Sequence, residues 1–198
     1  MKIFLPIAVV VLAMNSPSWS RADDRIRDAS PDGKFAMLLT QPEEGGVKIQ
    51  LIEVSSRNVL LDVAEIGHFG PHAEDWKILW APDSKCFAFY EPNRRGGDTT
   101  VYFRNESGFT ESPLPELGDC ATPAQKKELK AQGLNKSIEY NTEPKEWLKS
   151  GALVAVNNQG WQTTGGPLRG CTQTATIGFD AKHKASVLHV TGKKSKQY

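Results

Sequence analysis

The sequence predicts an all-β protein made of three successive four-stranded antiparallel sheets, with one short helix inserted between the second and third. Three observations predict it. A turn motif followed by a dense apolar run recurs along the chain. Each run is followed by a pair of alternating segments joined by turn residues. Only one stretch of the chain carries both a helix start and a helix stop.

The N-terminus precedes these elements. Met1-Lys2 is a short positive start, Ile3 to Ala13 is an almost unbroken apolar run of eleven residues, and the next segment ends Ser20-Arg21-Ala22. This is the pattern of an export signal cut after Ala22. Eleven apolar residues fall short of the roughly 20 that span a bilayer, which disfavours an uncleaved anchor. The expectation is a signal peptide over residues 1–22, a single β-rich domain over 23–198, and a periplasmic or extracellular location. Lys2 and Arg21 leave with the signal, so 22 basic residues face 23 acidic ones and the net charge goes from +1 to −1. Such a balance gives no electrostatic case for nucleic acid or anionic lipid as a partner.

The first unit, about 23–63, opens on Ala29-Ser30-Pro31-Asp32-Gly33-Lys34 and runs into Phe35 to Leu39. Pro presets φ for a turn and Asp bonds to nearby backbone, and the short apolar run reads as a strand buried on both faces. Val47, Ile49 and Leu51 then alternate with polar residues, and Ser55 to Asn58 turns the chain into Val59 to Val63. The second unit, about 74–112, repeats the layout 51 residues on. Trp80-Ala81-Pro82-Asp83-Ser84-Lys85 leads into Cys86 to Tyr90, and Thr99 to Arg104 turns at Asn105 to Gly108. The third, about 137–192, has a degenerate turn, Trp147-Leu148-Lys149-Ser150-Gly151, before Ala152 to Val156. Its hairpin puts Ala175, Ile177 and Phe179 on one face and three threonines on the other. Each is a period-2 signal. The inserted segment, about 120–133, holds a capping box at Thr122 to Gln125 with Pro123 at the first helical position, and Gly133 as the stop.

The motifs at 30–34 and 80–85, each leading into an apolar strand, resemble the blade motif of TolB-type propeller repeats, which are WD-like without the defining dipeptide. The resemblance implies blade-like sheets over nearly all of the mature chain. Propellers usually close with four or more blades, so three units imply an open, propeller-like array; a β-sandwich is the alternative fold. Three cysteines in an exported chain indicate one disulfide and one buried thiol. Propeller geometry would place Cys120 and Cys171 at one end of the sheets and Cys86 at the other, which implies a Cys120–Cys171 bridge. It also implies that the tight turns gather at one end and the longer, more varied connections at the other.

Those longer connections carry the candidate binding residues: Glu43, Glu44, Arg94, Arg95, Trp161 and Arg169, with His68 and His72 beside them. Arg and aromatic side chains dominate binding energies. Trp161 stands in the polar stretch Asn157 to Gly166, read as a loop, where it either folds back on the core or offers a stacking surface; folding back is the expectation. Asp32 and Asp83 recur at the same turn, which argues for a structural role. His68, His72 and Asp75 are weak metal candidates, because Gly70-Pro71 prevents the helix that would align the two rings. No nucleophile elbow, zinc-peptidase motif or phosphate loop occurs, so no cofactor and no catalytic set is expected. The functional expectation is a non-enzymatic exported binding or assembly module for a peptide, protein or glycan. The alternatives are a purely structural, self-associating half propeller and a hydrolase or lyase with an unrecognised site. A lysine-rich terminus, Lys193 to Gln197, reads as a guard on the last strand edge, from which a monomer is expected.

Overall fold

The computed structural model describes residues 25–41, 46–67, 75–134, 137, 139–161 and 169–197, with backbone alone at 169 and 193–197. The strands are β1 (Arg25–Arg27), β2 (Phe35–Thr40), β3 (Val47–Glu53), β4 (Val59–Ile66), β5 (Lys77–Trp80), β6 (Cys86–Asn93), β7 (Gly96–Asn105) and β8 (Gly108–Pro113). Helix α1 (Pro123–Ala131) follows, then β9 (Glu139–Trp147), β10 (Leu153–Trp161), β11 (Arg169–Phe179) and β12 (Ala185–Gln197). Among the described residues the protein is all-β apart from that helix, as the alternation predicted. Thr122 caps α1 with both halves of the capping box formed, and Gly133 follows in the left-handed region at φ 75°.

The strands form two sheets. One is the antiparallel meander β1-β2-β3-β4. The other has eight strands: β5 to β8 pair among themselves, β9 to β12 do likewise, and β7 joins β9 through a short parallel bridge at Gly96–Tyr140 and Gly97–Asn141. The expected second and third sheets are therefore one continuous sheet. Two glycines allow the bridge. A Cβ at Gly96 would stand 1.7 Å from the Tyr140 carbonyl oxygen, and one at Gly97 would stand 2.5 Å from the Tyr90 ring.

Two readings of the longer connections need correction. Glu91 to Asp98, expected among the longer connections, is a hairpin with Arg94-Arg95 alone between β6 and β7. Asn157 to Trp161 belongs to β10. Its amide side chains made it look like a loop, yet Asn157 and Gln159 are buried on a strand face. The terminal lysine segment is part of the edge strand itself, since β12 pairs with β11 as far as Gln197.

Packing runs in order along the chain. Phe35, Met37, Ile49 and Leu51 of the first sheet meet Trp76, Phe87, Phe89 and Tyr102. The other face of β6, Cys86 and Ala88, joins Val101 and Leu153. The period-2 alternation thus buries β6 on both faces, as its unbroken apolar run predicted. Beyond Leu153 the inner face of β10 and β11 is covered by the irregular chain after β8, through Leu117 against Ala155, Ala175 and Ile177.

The three tight turns share a geometry. The N–H of Gly33, Ser84 and Gly151 each donates to the carbonyl three residues back, and all three residues have positive φ. The indole N–H groups of Trp80 and Trp147 donate to the Asp28 and Leu79 carbonyls, both at 2.9 Å. Asp28 and Leu79 lie 51 residues apart, at corresponding places in the first two turn motifs.

Candidate functional site

β7 changes partner along its length. Thr100 to Asn105 pairs with β8, while Gly96 and Gly97 pair with β9, with β6 on the opposite edge. β8 and β9 therefore diverge from one edge, and the fork opens into a cavity of about 860 Å³. That size suits a small-molecule ligand or a side chain of a larger one.

Thr99 stands at the fork, its hydroxyl donating to the Thr142 carbonyl at 2.6 Å. The Thr142 Oγ1, itself buried and on the cavity wall, has no hydrogen-bond partner among the described residues. Tyr140 and Trp161 supply aromatic wall, and Asp98, Glu116 and Asp119 supply carboxylates. Asp119 is paired with Lys126 of α1 at 3.1 Å, whereas no described ion pair engages Asp98 or Glu116. The site is thus acidic, with hydroxyl and aromatic groups beside the acids.

The wall formed by residues 117–120 is held by buried amides. Gln159 Nε2 donates to the Gly118 carbonyl at 2.9 Å, Gln173 Nε2 donates to the Leu117 carbonyl at 3.0 Å, and Gln159 Oε1 accepts from Cys120 N–H at 3.3 Å. Buried polar groups are costly unless paired, so these bonds fix the chain in one course. A Cys120–Cys171 disulfide, as the propeller resemblance implied, ties the same segment to β11. Trp161 packs beside it with Leu129 of α1. It is buried, and so folds back on the core, while contributing to the cavity wall.

A second cavity, of about 480 Å³, adjoins the first and shares Tyr140 and Gln159 with it. Arg94 and Arg95 line it together with Glu139 and Asn158. Arg94, Arg95 and Trp161 are therefore brought to one end of the sheets. Glu43, Glu44, His68 and His72 lie outside the described residues, as does the side chain of Arg169. Asp75 is exposed, and among the described residues no group of three His, Cys, Asp or Glu is placed to hold a metal ion.

Charge and burial shape the neighbouring groups. The Tyr90 hydroxyl donates to the Gly96 carbonyl at 3.1 Å, and burial, helped by Glu143, Asp75 and Asp98, raises its pKa. It therefore remains a donor that braces the fork. Asp32 and Asp83 do structural work at their turns. Asp32 accepts from the Ser30 hydroxyl and the Lys34 N–H, the former chiefly holding its carboxyl below the usual range; Asp83 accepts from the Lys85 N–H.

Sequence reasoning missed Asp98, Glu116, Tyr140 and Thr142. None sits in a motif, and the fork that gathers them depends on a parallel bridge between segments more than 40 residues apart. The only signal was Gly96-Gly97 within a strand pattern, which marks close backbone approach. No protein-family model and no curated protein sequence matches this chain.

Proposed function

We propose that the protein is a non-catalytic binding module of open, propeller-like construction, acting outside the cytoplasm on a peptide, protein or glycan. The observation that carries this reading is the cleft of about 860 Å³ at the β8–β9 fork, whose wall holds a Thr142 hydroxyl with no partner and the carboxylates of Asp98 and Glu116 with no ion pair among the described residues. A ligand rich in donors, such as a basic peptide side chain or a sugar, complements that chemistry. The paired indole bonds one unit back and the three like turns support repeat construction of the TolB type with three blade-like units. The Cys120–Cys171 bridge fits an oxidising compartment. Among the described residues no helix is long and apolar enough to cross a membrane.

Non-catalytic action rests on the sequence, which carries none of the common hydrolase motifs. The test is a peptide and glycan array probed with the wild type and with Glu116→Lys and Arg94→Glu/Arg95→Glu variants. All three positions are exposed, so the fold should survive. Selective signals that disappear in Glu116→Lys support the cleft. An unchanged profile in every variant contradicts it.

A second reading, self-association, draws on one observation. Ile26, Val54, Val59 and Leu60, four of the six exposed large apolar side chains among the described residues, lie on or beside the first sheet. Sedimentation at micromolar concentration separates a dimer from the monomer expected from the guarded edge.

A further inference from the structure

The first two tight turns are joined: the Asp32 N–H donates to the Ser84 hydroxyl at 3.0 Å. Ser84 occupies the left-handed position of its turn, at φ 59°. In the third turn that position is Gly151, at φ 81°, which has no hydroxyl to offer and open space where a Cβ would stand. A cavity of about 520 Å³ is lined by residues of the second and third turns. It begins at Cys86, the opposite end of β6 from Arg94, and is separate from the fork.

Its chemistry is amphipathic. Phe103, Trp147 and Leu148 make an apolar floor, and the His183 ring lies flat on Phe103 with centroids 4.1 Å apart. His183 has φ 61°, an uncommon conformation for a side-chain-bearing residue, and its carbonyl is held by the Ser112 hydroxyl at 2.6 Å. Lys85 and Lys149 line the pocket against one acid, Asp83, and no described ion pair uses either; the guanidinium of Arg104, also a lining residue, lies over the Phe35 ring 4.8 Å from its centroid. An apolar floor beneath an unpaired cationic rim selects a ligand with the opposite arrangement.

We propose that this pocket binds a small molecule with an aromatic or branched apolar body and a single carboxylate. The body stacks on Trp147 and Phe103, and the carboxylate meets the lysines at the mouth. The test uses 4-phenylbutyrate and its neutral amide, titrated into the full mature chain and followed by NMR. The acid should bind saturably, in about the millimolar range or tighter for a dozen non-hydrogen atoms. It should shift the Trp147 indole N–H, and the amide should bind at least about ten-fold more weakly. Lys85→Glu/Lys149→Glu, two exposed positions, should abolish the preference for the acid and leave amide binding unchanged. The proposal is overturned by equal binding of acid and amide, by no saturable shift at Trp147, or by shifts confined to the β8–β9 fork.

Discussion

The molecule has two seams, and they are built differently. Between the first sheet and β5–β8, aromatic rings interlock: Phe35 meets Phe109 edge-on at 5.3 Å and stacks on Trp80 at 6.3 Å. The Asp32–Ser84 bond closes the turn end of that seam. Between β5–β8 and β9–β12 the buried contact is made by smaller residues, Ala81, Cys86, Ala88 and Val101 against Leu153, with the partly buried Phe103 edge-on to Phe179 at 5.0 Å beside them. This second seam opens at both ends, into the fork cavity and into the turn-end pocket. It is held by the glycine bridge, the Trp147–Leu79 bond, the Lys77–Glu143 ion pair and the disulfide-tied wall. The first seam is closed by packing, and the second leaves the two cavities open.

The largest expected effect is at the first seam. Phe87→Ala, at a fully buried ring, should cost about 3–5 kcal/mol in urea unfolding. Phe103→Ala, at a partly buried ring of the second seam, should cost clearly less. Equal losses would erase the distinction. Next is the disulfide. Cys120→Ala/Cys171→Ala opens a loop with a sequence separation of 51 and should lose up to about 4 kcal/mol by the loop-entropy account. In that variant, amides of residues 117–120 should exchange faster while those of β2 and β3 do not.

Smaller effects sharpen the contrast at the turns. Ser84→Ala removes the acceptor of the Asp32 N–H and should cost about 1 kcal/mol, measurable by thermal unfolding. The Cys86 thiol, pushed up to about 12 by burial and then by Asp83, should resist a thiol reagent at neutral pH until the chain unfolds. The smallest effect is the pH dependence from Asp32. Its folded pKa is lowered, so its contribution is present above the ordinary carboxylate range and is lost as pH falls through the folded value. Asp32→Asn should flatten the acid limb of a stability profile slightly, and an unchanged limb would remove Asp32 from the account.

These two seams were not equally legible in the sequence. The turn motifs at 30–34 and 80–85 and the apolar runs behind them placed β2, β6 and the first seam's core, because local turn chemistry and period-2 burial are short-range signals. The helix was legible for the same reason, its cap and stop lying within a dozen residues. The second seam depends on long-range meetings: Gly96 with Tyr140, and Gly118 with Gln159 and Gln173. Nothing near Gln159 says that a loop carbonyl will satisfy it, so a buried strand read as a polar loop. Arg94, Arg95 and Trp161 were picked out for their chemistry, but the acids and hydroxyls beside them depended on a fork that only the tertiary pairing creates.

Native-state hydrogen exchange on the intact protein, resolved by residue, tests the contrast between the seams most directly. Amides of β2, β3 and β6 should exchange only through global unfolding. Those at the fork, around Gly97, Tyr140 and residues 117–119, should open locally at lower free energy, as expected of elements that admit a ligand. Protection as high at the fork as in β6 would contradict the account, because the second seam would then be as closed as the first.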